Sequence, residues 1–204
     1  MCHIFHLIRQ TGENIIQDFK QPVGYLIPAI VIALAGVFFY KRLRRQDEEV
    51  SVPVVLLFIY LEVIVELAFF SREAGSRNGI DLDLFGTWGT SATEHAYFIE
   101  NILMFIPFGF LLPLVVKRVR KMIVCVGFGF AVSCMIELSQ LVTQRGYCQL
   151  DDVVTNTMGT LAGWIVWMCL REYAVRRKVQ RRRKKKNKNR DNPRKKKQCE
   201  YRSL

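Results

Sequence analysis

Apolar residues in this chain come in blocks of about twenty, the length of helix that crosses a bilayer core of about 30 Å at about 1.5 Å per residue. The blocks fall at 23–40, 52–70, 97–116, 122–142 and 153–170. In hydrocarbon every backbone polar group must be satisfied within the protein, which leaves helices or a closed barrel. Long uninterrupted runs select helices. The expected fold is therefore all-α, a membrane bundle of about five transmembrane helices.

The charge follows the same division. The chain carries a formal +12, but residues 171–204 hold seventeen Lys/Arg against Glu172, Asp191 and Glu200. The rest is close to neutral, so a membrane body precedes a basic tail. The tail is too polar to pack a core and is expected to be disordered. As a basic segment beside a span, its expected partner is anionic lipid. Beyond Tyr173 only Tyr201 offers a ring on which a base can stack, so nucleic acid is not the expected partner.

Residues 1–22 form a segment of their own, either a short interfacial helix or a frayed end. Ile4, Phe5, Leu7, Ile8, Ile15, Ile16 and Phe19 are interrupted by Gln, Glu and Asp, which makes a poor stripe. The block at 23–40 lacks a small-residue cleavage signature and reads as a retained anchor.

Basic residues set the orientation. The loops at 41–51 and 117–121 carry four Lys/Arg each and the tail seventeen, whereas 1–22, 71–96 and 143–152 carry two, two and one. The alternation holds through five spans and predicts the N-terminus outside and the C-terminus in the cytoplasm. The second span contains Glu62 and Glu66, each costing roughly +3 kcal/mol if ionised at mid-span. Its fourteen Leu, Ile, Val and Phe residues return a similar sum, so it needs partners. Pro107 removes a helical hydrogen bond in the third span and predicts a kink there. Trp88 and Tyr97 suit an interface.

Polar residues in four spans then fall at one level. Asn101 and Glu66 lie about 6 Å below the outer surface, Glu137 about 7–8 Å and Asn156 about 5 Å. Phase agrees with depth. Ser133, Glu137, Gln140 and Gln144 share one helical stripe, and Asp152, Asn156, Gly159 and Gly163 share another. Gly159 and Gly163 permit close helix approach. A carboxylate facing lipid is expensive, so these groups are expected to line an inward hollow. The candidate binding residues are Glu66, Asn101, Glu137, Gln140, Arg145, Asp151, Asp152 and Asn156, with Arg145 the counter-charge. Plain helix capping by Asp151 or Asp152 is the structural alternative.

Six cysteines show no CxxC pair, and His3, His6 and His95 form no metal motif, so no metal or cofactor is expected. No GxSxG or HExxH nucleophile or zinc motif is present, so an enzyme is not the first reading. If the protein catalyses a reaction on a lipid-linked or peptide envelope substrate, Glu137 and Asp152 are the candidate acid and base. A small transporter is a further alternative. Glu62 and Glu66 invite a proton path, but no internal repeat is visible.

Three blocks carry a family resemblance. They are Asn101-Ile-Leu-Met-Phe-Ile-Pro107-Phe-Gly109-Phe-Leu-Leu-Pro113, then Glu137-Leu-Ser-Gln140, then Arg145-Gly-Tyr-Cys148-Gln149-Leu-Asp151-Asp152-Val-Val-Thr-Asn156-Thr-Met-Gly159. In order and spacing over about 97–170 the chain resembles the VanZ-like family of small polytopic membrane proteins. Residues 71–72 and 84–86 resemble the region before that family's third span. Gln149 departs from the pattern, since members often carry an acid there. The resemblance implies a five-span protein of the bacterial inner membrane, of the group named for teicoplanin resistance. Glycopeptide or a lipid-linked cell-wall precursor is then the expected ligand. Glu137, Gln140, Arg145, Asp152 and Asn156 are the positions that match its signature.

Overall fold

The computed structural model describes residues 2–18, 52–67, 79–84 and 91–190, together with positions 31, 34–36, 38 and 75, and describes side chains as far as residue 184. The protein is predominantly helical. The elements are α1 (Cys2–Asp18), α2 (Val52–Val65), β1 (Ile80–Asp81), α3 (Ala92–Val115), a 3-10 turn (Lys117–Arg120), α4 (Met122–Thr143), β2 (Cys148–Gln149) and α5 (Leu150–Arg190). Contacts divide the chain into a unit of residues 1–165 and a unit of residues 166–204.

Among the described residues, three helices are long and apolar enough to cross a membrane: α3, α4 and α5. Their surfaces agree, with Ile123 79% and Val142 81% exposed on α4. Apolar side chains so open over a whole helix suit lipid rather than water. The fourteen-residue α2 is apolar but shorter, about 21 Å at 1.5 Å per residue. It passes into a wider π-type turn at residues 66–67. The expected first span, 23–40, lies largely outside the described residues. Its described positions are helical, and Gly36 sits against the Phe58 ring of α2. Trp88, the loop at 41–51 and the tail past residue 190 also lie outside the described residues.

Of the two readings of the N-terminal segment, residues 2–18 take the helical one, forming α1, which packs on α3. The Gln and Glu residues that interrupt its apolar run lie on one half of the helix at 100° per residue, and Leu7, Ile8, Ile15 and Ile16 lie on the other. Residues 171–190, expected to be disordered, continue α5 as helix. Lys and Arg are good helix formers, and adding turns to an existing helix avoids the nucleation cost. Within the second unit, Glu172 pairs with Arg176 at 3.5 Å and the Arg171 guanidinium stacks over Trp167 at 5.3 Å.

α3 begins five residues before the apolar block, and the reason is a capping box. Ser91 Oγ accepts from the Glu94 N–H at 3.2 Å, and Glu94 Oε2 accepts from the Ser91 N–H at 3.0 Å. The helix carries through Pro107 and Pro113 and ends at extended Val116. The Tyr60 hydroxyl of α2 donates to the Met104 carbonyl at 2.6 Å, one turn before Pro107. Phe105 and Phe108 of α3, Ile64 of α2 and Ile136 of α4 form the apolar centre. At the far end of α3, Trp164 Nε1 donates to the Arg120 carbonyl and Arg120 Nε to the Pro113 carbonyl, closing the basic turn.

α5 meets α3 backbone to backbone. A Cβ added to Gly159 would land on the Ile102 carbonyl, and one added to Gly163 on the Ile106 carbonyl. From the other side, Gly109 of α3 lies on the Thr160 carbonyl and Gly129 of α4 lies on the Thr160 side chain. Four glycines on three helices thus surround one α5 turn. Without a hydrophobic drive inside lipid, close van der Waals packing of this kind holds helices together.

Gly163→Leu and Gly109→Leu are therefore expected to lower stability by about 1–3 kcal/mol or to block folding. Gly127→Leu is the control, because nothing lies within 4 Å of a Cβ there. It should stay within about 0.5 kcal/mol. Thermal unfolding in detergent reads the difference; equal loss at 127 and 163 would deny the crossing its role.

Candidate functional site

The glycine crossing brings the polar starts of α3 and α5 and the polar end of α4 together. One turn above Gly159 and Gly163, the same face of α5 carries Asn156 and then Asp152, both buried. Opposite them on α4 are Ser133, Glu137 and Gln140, also buried. Three hydrogen bonds join the elements. Asn101 Nδ2 of α3 donates to Asp152 Oδ1 at 2.6 Å. Asn156 Nδ2 donates to Ser133 Oγ at 2.9 Å. The Gln149 backbone N–H donates to Glu137 Oε2 at 2.9 Å. The first and third have an ionisable acceptor, which makes such bonds short and strong.

Of the candidate residues, Asn101 thus meets Asp152, Asn156 meets Ser133 and Glu137 holds the Gln149 N–H; Asp151 and Gln140 are also buried, at 3% and 2% exposure. Arg145 is half-buried in the turn after α4, its N–H on the Gln140 carbonyl at 3.0 Å. Gln144 leaves the stripe: it adopts φ 54 and caps α4, exposed. Glu66 is half-buried at the π-type turn, and no hydrogen bond among the described residues ties it to the group.

A small strap covers this end. β1 and β2 pair in parallel, Ile80 with Cys148 and Asp81 with Gln149. The Cys148 N–H donates to the Gly79 carbonyl and the Gly75 N–H to the Gln144 carbonyl. Gly75 has φ 77, and the Tyr147 ring lies on Gly79 where a side chain would clash. The loop before α3 is thereby stitched to the turn between α4 and α5. Burial pushes the Cys148 thiol above its ordinary value, and the negative charges of Glu137, Cys134 and Asp152 add to the shift. That electrostatic coupling marks Cys148 as a neighbour of the buried acids.

Among the described residues, Asn156 Nδ2 has a partner and its buried Oδ1 has none. Its backbone carbonyl accepts from Thr160 Oγ1 at 3.0 Å. Ser133 Oγ accepts from Asn156 Nδ2. No trio of His, Cys, Asp and Glu among the described residues converges as a metal-binding group. The arrangement presents fixed carboxylates and amides to whatever enters from the strap side.

Sequence reasoning missed the Gln149 N–H, because a backbone donor has no residue type to betray it. It also missed Tyr60 and Thr160. The Ser91-x-x-Glu94 box was readable and marks the true start of α3.

Removing the Glu137 charge should favour the Cys148 thiolate. In a variant with Cys148 as sole cysteine, the pH profile of alkylation should lie above that of an ordinary thiol. Glu137→Gln should move it down. An unmoved profile would separate the thiol from the acid.

The family sequence model described as VanZ/LLP1 matches residues 27–171, more than half of the chain. Protein VanZ of Enterococcus faecium is 25% identical over 133 residues, which cover 62% of this chain and 80% of that protein. No solved structure matches. All residues of the polar group lie inside the matched region, and the chain belongs to the VanZ/LLP1 family.

Proposed function

We propose that this membrane protein contributes to glycopeptide resistance of the teicoplanin type, by binding the drug or a cell-wall precursor in its polar pocket. Family membership supports the link to resistance. The observation that carries the binding reading is the set of three polar contacts between elements, Asn101 to Asp152, Asn156 to Ser133 and the Gln149 N–H to Glu137. Placing so many polar groups in an apolar bundle is expensive unless they have work to do. The acids are held by N–H donors, and Ser133 by an amide, which suits recognition better than turnover.

In this reading the protein sits in the bacterial cell membrane with five spans, its N-terminus outside and its C-terminus inside. The strap and the polar group then face outward, where glycopeptides act. Arg145 supplies the positive counterpart for Glu137, Asp151 or Asp152.

Two experiments test this. Cells carrying Glu137→Gln or Asn156→Ala at parental protein levels should become as susceptible to teicoplanin as cells lacking the protein; full protection by both variants would sink the reading. In a cysteine-free background, an impermeant thiol reagent applied from outside should label Tyr147→Cys but not Lys117→Cys. The opposite pattern would invert the topology.

A further inference from the structure

Six residues join α3 to α4, and four of them are the cations Lys117, Arg118, Arg120 and Lys121. Both helices are long and apolar enough to cross a membrane. Their short connection therefore lies where the hydrocarbon core gives way to head groups. Positive charge at such a connection orients the two spans. Orientation needs only the charge, however, and here the charge sits on a turn held in one shape.

Three contacts hold that turn. Val119 is buried and anchors it to the bundle. Arg120 Nε donates to the Pro113 carbonyl at 3.2 Å, and Trp164 Nε1 donates to the Arg120 carbonyl at 3.1 Å. The backbone closes on itself as well: the Val119 N–H donates to the Val116 carbonyl, and the Lys121 carbonyl accepts from the Val124 and Cys125 N–H groups. A backbone fixed before binding lowers the ordering cost of holding a ligand. At three residues per turn and about 2 Å rise, Lys117 and Arg120 stand on one side, about 6 Å apart along the axis. Arg120 is half-buried against the end of α3, whereas Lys117, Arg118 and Lys121 are exposed.

Apolar side chains adjoin these cations directly. Val116 precedes Lys117, and Met122 and Ile123 follow Lys121; all three are exposed. The Trp164 indole stands at the same level, as aromatic side chains do at membrane interfaces. A phosphodiester accepts hydrogen bonds from ammonium and guanidinium groups and pairs with their charge. Three exposed cations side by side disfavour a head that carries its own ammonium. A soluble phosphate ester would use the cations and leave the apolar helix ends without a role. A lipid uses both.

We propose that the turn between α3 and α4 binds an anionic phospholipid whose head carries no amine, with its chains beside Met122 and Ile123. This goes beyond the reading above and stands if that reading falls. It is also separate from the diffuse attraction to anionic lipid expected of the basic stretch after residue 170.

The test uses the full chain in nanodiscs of phosphatidylethanolamine and phosphatidylglycerol in equal amounts. Lipids that stay bound after transfer to detergent are identified by native mass spectrometry. The parent should retain phosphatidylglycerol about ten-fold over phosphatidylethanolamine, a preference within reach of three cations near the surface. Lys117→Gln/Arg118→Gln/Lys121→Gln should abolish it. Arg177→Gln/Lys178→Gln/Arg181→Gln removes the same charge from α5 and should leave most of the preference. If the turn triple variant does not fold, Arg118→Gln alone decides and should reduce the preference. Release of the bound lipid by glycerol phosphate would assign the turn to a soluble ester and overturn the proposal. So would no preference in the parent, an unchanged preference in the folded turn variants, or an equal loss in both triple variants.

Discussion

The crossing at Thr160 decides where everything else in this bundle can be. Its carbonyl occupies the space a side chain would take at Gly109, and its hydroxyl side occupies that space at Gly129. Gly159 and Gly163 let the same stretch of α5 lie against the α3 backbone. The Cys125 thiol adds a weak contact to the Gly109 carbonyl at 3.8 Å. Once these backbones touch, the rotation and height of α5 are set. Residue 156 must then face α4 and residue 152 must face α3. The polar pairs Asn156–Ser133 and Asp152–Asn101 follow from that placement. In lipid, such bonds contribute about 0.6–2 kcal/mol each and reinforce the register without creating it.

This explains which parts were legible in the sequence. Period and depth are properties of single helices, so the stripes Ser133–Glu137–Gln140–Gln144 and Asp152–Asn156–Gly159–Gly163 could be read directly; seven of these eight residues are buried, and Gln144 leaves the helix as its exposed cap. Which stripe faces which depends on small residues on the partner. Gly109 and Gly129 carried that information, yet a glycine in an apolar run looks the same whether it faces lipid or a neighbour. Gly127, two residues from Gly129, faces open space. Glu66 fails for a related reason. Depth placed it level with the others, but α2 is short and ends in a wider turn there, and depth alone does not bring a helix alongside.

The ends were read less well than the middle. Apolar windows put the start of α3 at residue 97, whereas the Ser91–Glu94 box carries the helix back to Ala92. The polar residues of α1 seemed to break an amphipathic pattern when counted along the chain. Placed around the helix, the Gln and Glu residues occupy one half of it. The basic stretch after residue 170 is composed like a disordered tail, but composition predicts whether a segment can fold alone. Attached to a formed helix, it needs only propagation.

Asn156 separates packing from purpose. A buried amide in a membrane bundle can be fully satisfied, and its Nδ2 is, through Ser133. Among the described residues its Oδ1 is not, and an idle buried acceptor costs about 1–3 kcal/mol. An apolar residue of similar size would avoid that cost at the same crossing. Asp152 one turn away and Glu137 across the seam raise the same objection, since replacing buried charges with hydrophobic side chains is often neutral or stabilising. Stability therefore does not account for these residues, although it accounts well for Gly159, Gly163 and Thr160 around them. The bundle is built as a tight apolar crossing that carries, one turn above it, a polar layer it would be more stable without.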